Sequence, residues 1–414
     1  MDLLVKNIGK LCQVRDASIS KVSGKDMAIL PCIENAYLSV SNGLIADFGT
    51  MSNCPSEAQA LRVIDATKRL VLPTWCDSHT HIVFAGSREG EFVHRIQGKS
   101  YEEIAQEGGG ILNSARRLQA SSEDELTEAA LARLREMSLM GTGAVEIKSG
   151  YGLSVDSELK MLRVVRRLKS LSPLQIKATF LGAHAIPLEY QKDRKVYLQL
   201  IIDEMLPQIA QEGLADFIDV FCDKGFFTVE ETANLLEAGA KYGLRPKIHA
   251  NELDYSGGIQ VGVQYKALSV DHLEYTGDAE IAALKNSETM PTLLPTTAFF
   301  LGLPYAPARK MIGADLPLAL ASDYNPGSSP SGNMPFVISL ACIKMKMLPE
   351  EAINASTINS SYAMQVGEKL GSITRGKKAS FFITHPMPSL AYLPYMFGNN
   401  PVEKVFINGE EPHF

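Results

Sequence analysis

The six cysteines, Cys12, Cys32, Cys54, Cys76, Cys222 and Cys342, show no C-x-x-C spacing, so neither a zinc knuckle nor a dithiol redox motif is written here. A chain of 414 residues buries a large core without disulfide staples, and free thiols in apolar surroundings fit a reducing, cytoplasmic compartment. No run of Lys and Arg is long enough to track a phosphate backbone, and the net charge of −7 points the same way, which argues against a nucleic-acid partner. Long hydrophobic runs are also missing. Residues 1–10 carry charges among their apolar positions, unlike a secretory leader, and the most apolar later stretch, 290–306, is broken by Pro291, Pro295 and Pro304. Neither segment reads as a membrane anchor. What remains is an ordinary globular composition, 45% hydrophobic and 21% charged.

Residues 1–69 have β texture. Ser41-Asn42-Gly43-Leu44 is a hairpin signal, because Asn and Gly both tolerate positive φ, and 63–65 is a further short strand. From Leu70 onward, strands alternate with amphipathic helical segments. The strands expected are 70–82, 143–149, 176–184, 217–223, 244–252, 267–275, 289–297 and 316–324. Between them, apolar residues recur at spacings of three and four, and several of these runs open on a capping residue, such as Ser154 or Thr228 with Glu231 at the third helical position. Eight β/α units in series give a closed parallel (β/α)8 barrel over 70–370. An open doubly wound sheet is disfavoured, since no glycine-rich dinucleotide loop follows the first strand. After 370 the β texture returns, so 371–414 joins 1–69 in a small composite β-sandwich domain built from both termini.

The chemistry gathers at the C-terminal ends of the barrel strands, where the active sites of such barrels sit. Asp77-Ser78-His79-Thr80-His81 ends the first strand, and alternation turns His79 and His81 to the same side. The third strand ends in His184, the fifth in His249 and Glu252, the sixth in His272 and the eighth in Asp323. Five histidines at the ends of four strands are hard to explain by packing alone. A metal site is the economical account, with His79, His81, His249 and Asp323 as ligands for one divalent ion, zinc or iron. A metal so held makes hydroxide available near neutral pH. Asp323 is placed to take the proton, His272 to orient water or polarise a carbonyl, and Glu252 to carry a proton to a leaving nitrogen. The fourth strand ends Phe221-Cys222-Asp223, without the lysine that would bridge two metals as a carbamate, so one metal is expected; Lys148 is the only rival bridge. Cys76, beside Asp77, reads as a core residue.

These residues resemble the metal-dependent amidohydrolase superfamily. Phe84-Ala85-Gly86-Ser87-Arg88, residues 101–110, Lys148-Ser149-Gly150-Tyr151-Gly152-Leu153, Phe180-Leu181-Gly182-Ala183-His184 and Asp323-Tyr324-Asn325-Pro326-Gly327-Ser328-Ser329 are similar to the branch that hydrolyses the ring amide of 4-imidazolone-5-propanoate to N-formimidoyl-L-glutamate in histidine degradation. The resemblance implies that small-molecule substrate, a homodimer, and a substrate pocket formed by Arg88, Tyr101, Tyr151, His184, Glu252, Asn325, Gly327 and Ser328. Arg88 is the natural fork for the propanoate carboxylate. Trp75-Cys76 and Ala379-Ser380 depart from the usual pattern, away from every ligand. Two rival readings stand beside this one. A deaminase of a cyclic amidine would use the same metal strand ends but not a carboxylate clamp, and an inactive scaffold would have lost ligands that are all present here.

Overall fold

A computed structural model describes residues 1–99 and 109–414. Eight parallel strands form one sheet in strict sequence order: β6 (Trp75–Thr80), β7 (Thr142–Lys148), β8 (Gln175–Ala183), β9 (Phe217–Cys222), β10 (Arg245–Ala250), β11 (Ser269–His272), β12 (Met290–Leu293) and β13 (Ala319–Leu320). The sheet closes on itself through the segment after β13. The Asp323 N–H donates to the His79 carbonyl at 3.0 Å and the His81 N–H to the Tyr324 carbonyl at 2.9 Å. Asp77 reinforces this seam by accepting from Ser322 N–H (3.0 Å) and Oγ (2.5 Å). The first and eighth strand ends therefore meet side by side, which brings His79, His81 and Asp323 together.

Helices cover the outside of the barrel. Glu123–Leu139 starts in a reciprocal capping box between Ser122 and Glu125, and Val229–Ala240 in one between Thr228 and Glu231. The helical run from Arg194 to Glu212 widens to a π turn at Ile201–Met205, immediately before Pro207, whose missing N–H breaks the regular ladder. It ends at Gly213 with φ of 61°.

A second, seven-stranded sheet is drawn from both ends of the chain: β1 (Leu3–Cys12), β2 (Cys32–Ser41), β3 (Leu44–Thr50), β4 (Arg62–Asp65), β5 (Leu70–Pro73), β14 (Phe381–Thr384) and β15 (Val402–Phe406), ordered β15-β14-β5-β1-β2-β3 with β4 also on β1. Strand β1 shifts register between Val5 and Ile8, so its two halves have different neighbours, β4 on one and β5 on the other. The segment before β14 then zips onto β3, with Ile45 N–H donating to the Lys377 carbonyl and Gly376 N–H to the Ile45 carbonyl, both at 2.9 Å. The curled sheet encloses its own core of Leu3, Val5, Leu38, Phe48, Phe381 and Phe406.

The structure corrects several strand boundaries. The expected strand 70–82 is two strands in different sheets: β5 pairs with β1 and β14, whereas β6 pairs with β7. The change falls at Thr74, whose N–H donates to the Ser380 carbonyl, while the next N–H, that of Trp75, donates to the Gly141 carbonyl. The expected strand 289–297 stops at Leu293, because Pro295 starts the helix Pro295–Leu301. In 316–324 only Ala319–Leu320 is regular strand, and in the β segment after 370 the first strand begins at Phe381. Ser154 precedes Val155–Leu171 without a side-chain capping bond. The Asn42-Gly43 turn has the anticipated positive φ values, 53° and 72°.

Candidate active site

Every imidazole expected at a strand end is buried at one mouth of the barrel. His79 Nε2 lies 3.2 Å from His81 Nε2, which lies 3.4 Å from His249 Nε2. Asp323 Oδ1 is 3.5 Å from Nε2 of both His79 and His81. Asp323 sits at φ of 51° and His272 at 85°, backbone conformations that side chains other than glycine rarely adopt and that recur at functional sites.

Carboxylates that the strand-end reading did not pick out orient these rings. His79 Nδ1–H donates to Asp271 Oδ2 at 2.7 Å, and His249 Nδ1–H to Asp219, 3.0 Å from Oδ2. With their protons on Nδ1, both rings turn bare Nε2 lone pairs toward each other's neighbour His81. Burial holds His79 and His81 well below the usual imidazole range, so these rings are neutral. Lone pairs so crowded repel unless a cation lies among them. Three imidazole nitrogens brought this close, with Asp323 Oδ1 3.5 Å from two of them, are a donor set that a divalent cation would satisfy. The residues present thus fit a single divalent metal.

Beneath the rings lies a buried charge network. Lys148 Nζ donates to Glu146 Oε1 and Asp219 Oδ2, both at 2.7 Å, and lies 3.6 Å from Asp271 Oδ2. Lys247 pairs with the other oxygen of Glu146 and donates to the Ser78 carbonyl at 3.1 Å. Burial alone would lower Lys148, but the carboxylates of Asp219, Glu146 and Asp271 outweigh it and hold the ammonium above its usual range. Lys148 is therefore committed as the counter-ion of both histidine-orienting carboxylates. Cys76 faces a small apolar cluster with Ala144, Met364, Val366 and Leu370, and burial pushes its thiol up to about 12.

The proton-handling candidates flank the centre. Asp323 Oδ2 accepts from Thr297 Oγ1 at 2.6 Å, leaving Oδ1 toward the imidazoles, and burial pushes its carboxyl up to about 6 against that bond. Glu252 Oε2 is 3.7 Å from His272 Nε2. Burial, then the charges of Asp323 and Asp223, push the Glu252 carboxyl up to about 8. His272 Nδ1 faces a further buried carboxyl, Glu274, at 3.9 Å.

The substrate candidates are placed unevenly. The His184 ring stacks on His81 (centroids 5.3 Å apart, 15° between planes) and Tyr151 lies 5.5 Å from His184. The Arg88 fork is occupied on one edge, Nε and Nη2 donating to Glu91 Oε2 at 2.9 and 2.5 Å. Its Nη1 points at Gly327, where an added Cβ would come within 2.2 Å. Asn325 spends its amide on its own loop: Oδ1 accepts from Gly327 and Ser328 N–H at 2.8 Å, while Nδ2 donates to the Asp323 carbonyl and Ser328 Oγ at 2.7 Å. Ser328 Oγ is 3.4 Å from Asp323 Oδ2. Tyr101 lies outside the described residues.

A closed parallel barrel with three imidazoles and one carboxylate converging at its mouth defines a metal-dependent barrel hydrolase. The amidohydrolase family matches residues 70–411. The chain is 58% identical to the imidazolonepropionase of Christiangramia forsetii and 59% to that of Flavobacterium johnsoniae, in each case over 99% of this chain and 100% of the relative. It is 42% identical to the imidazolonepropionase of Caldanaerobacter subterraneus, over 98% of this chain and 96% of the relative. Among solved structures, the E. coli guanine deaminase has a TM-score of 0.75 at 15% identity, covering 99% of this chain and 98% of that one. A zinc-bound adenosine deaminase from Xanthomonas campestris has 0.71 at 15%, covering 99% and 92%, so these neighbours share the fold. The chain belongs to the imidazolonepropionase branch of the amidohydrolase family.

Proposed function

We propose that this chain hydrolyses the ring amide of 4-imidazolone-5-propanoate to N-formimidoyl-L-glutamate, using one zinc or iron ion held by His79, His81, His249 and Asp323. The observation that carries this reading is the 57–59% identity, over 99% of the chain, to proteins named imidazolonepropionase. A metal at this position supplies a Lewis acid that lowers the pKa of water toward about 7. The protein's own groups do the rest. Asp323, with Oδ2 fixed by Thr297, presents Oδ1 to accept the proton of the attacking water. His272, kept neutral by burial, donates toward the ring carbonyl as charge develops on its oxygen. Glu252, protonated at neutral pH because its carboxyl is pushed up to about 8, gives its proton to the departing ring nitrogen.

The propanoate falls to the remaining Nη1 edge of Arg88, with Tyr151 and His184 along the ring. Because Glu91 holds the other edge, Arg88 offers its charge in a fixed orientation rather than as a free bidentate fork. A homodimer in the cytoplasm accompanies this reading; the six free thiols agree with a reducing compartment, and sedimentation of the purified protein checks the dimer.

The test is to incubate metal-loaded protein with freshly generated 4-imidazolone-5-propanoate, follow its ultraviolet absorbance and identify the product by mass. Turnover lost with a chelator and in His249→Ala is the expected result. No turnover by protein shown to hold one metal would overturn the substrate.

A further inference from the structure

Glu158 lies in the first turn of the helix Val155–Leu171, has no exposed surface, and faces no Lys or Arg at salt-bridge distance among the described residues. A buried carboxylate without a counter-ion is costly unless its lone pairs are filled. Here backbone fills them. Oε2 accepts from the Gly150 N–H at 3.1 Å, and Oε1 accepts from the Gly152 and Leu153 N–H groups at 2.7 and 3.0 Å. Burial raises the Glu158 carboxyl from its usual range while these amide bonds pull the other way, and the positive end of the helix favours the anion.

The bonded segment, 149–153, is the loop after β7 that carries Tyr151. It is not a relaxed loop: Gly150 has φ of 108° and Leu153, which bears a side chain, has φ of 54°. Glycine is required at 150 and 152 because a Cβ would come within 2.8 Å of His184 Nδ1 at the first and 2.4 Å of the Glu158 nitrogen at the second. Gly150, gripped at its N–H by Glu158, presents its carbonyl to His184 Nδ1 at 3.0 Å. That bond puts the His184 proton on Nδ1 and leaves Nε2 an acceptor.

We infer that Glu158 is a positioning residue of the substrate pocket: its carboxylate fixes the 149–153 segment, and thereby both the place of the Tyr151 ring and the tautomer of His184. The inference rests on the proposed reaction only in its kinetic consequence. Metal ligation is not involved.

The experiment uses the full-length, metal-loaded protein with Glu158→Ala, which removes every acceptor, and Glu158→Gln, which keeps the size and one acceptor oxygen. Amide hydrogen exchange across 149–153, the imidazole ¹⁵N shifts of His184, and KM and kcat are compared with wild type. In Glu158→Ala, exchange at 150, 152 and 153 is expected to quicken at least roughly tenfold while the barrel strands stay protected. The His184 shifts move toward a mixture of tautomers. KM rises about tenfold with kcat within about threefold, because the loss is in substrate binding. Glu158→Gln falls between the two, and decides the question by the same readouts if the alanine variant does not fold. Unchanged local exchange and unchanged His184 shifts would overturn the inference, as would a uniform rise in exchange over the barrel with KM unmoved. If wild type itself turns over no 4-imidazolone-5-propanoate, the proposed reaction fails, while local exchange and tautomer still decide the role of Glu158.

Discussion

At the scale of single residues, Glu252 and Arg88 can be tested apart, one for moving a proton and the other for holding the substrate's charge. In the proposed reaction Glu252 is the acid, which must act while protonated; with its carboxyl pushed up to about 8, kcat is expected to fall as pH rises through about 8. Glu252→Gln should lower kcat by roughly 10²–10⁴-fold and remove that alkaline limb, checked by kcat measured against pH. Arg88→Ala should raise KM for the anionic substrate by roughly 10–100-fold, the worth of one charge-assisted contact, with a smaller change in kcat. An unchanged KM would place the propanoate elsewhere. Glu252 stood out in the sequence because it follows the strand end that bears His249, and Arg88 because it closes the Phe84-Ala85-Gly86-Ser87-Arg88 motif in the loop after the first barrel strand. Which edge of Arg88 is held by Glu91 could not be read from the sequence, since a spacing of three residues says nothing about which edge of the guanidinium is used.

At the scale of elements, the strands carry two layers of chemistry, and only the upper layer was read. Asp219 and Asp271 lie within β9 and β11, below the ends where ligands were sought, and Glu146 and Lys247 lie within β7 and β10. The signal for them was charge inside short, otherwise apolar parallel strands, where an unpaired ion is not tolerated. Asp219→Asn should therefore loosen His249 and weaken metal affinity by roughly 10–100-fold, measured by competition with a chelator. Gly327→Ala tests the loop after the eighth strand: its Cβ would collide with Arg88 Nη1, so KM should rise about as far as in Arg88→Ala. Helix capping was half legible. Thr228 with Glu231 forms the box its spacing implies, but near Ser154 the nearby Glu158 turns inward to the loop amides instead.

At the scale of the whole molecule, eight strands alternating with helical periodicity were enough to read the barrel, whereas the junction with the terminal sheet was not. The apolar run 70–73 and the motif that follows it look like one strand over 70–82, because period-two patterning cannot show that hydrogen-bond partners change at Thr74. Trp75, fully buried with its ring 4.8 Å from Phe382 of β14, packs this junction, and Trp75→Ala should cost about 3–5 kcal/mol in denaturant unfolding. Chelation should lower the melting temperature and added zinc restore it, since the metal binds only the folded chain; at a free-ion level about 100-fold above Kd the difference is about 2.7 kcal/mol. The same junction sets an order of events during synthesis. The strand bearing His79 and His81 is made early, but β5, one residue upstream of it, stays without its neighbour β14 until the distal part of the chain leaves the ribosome. The first pair of histidines is thus translated long before the sheet behind it is complete, and a nascent chain stalled short of β14 carries all four candidate ligands while β5 still lacks that neighbour.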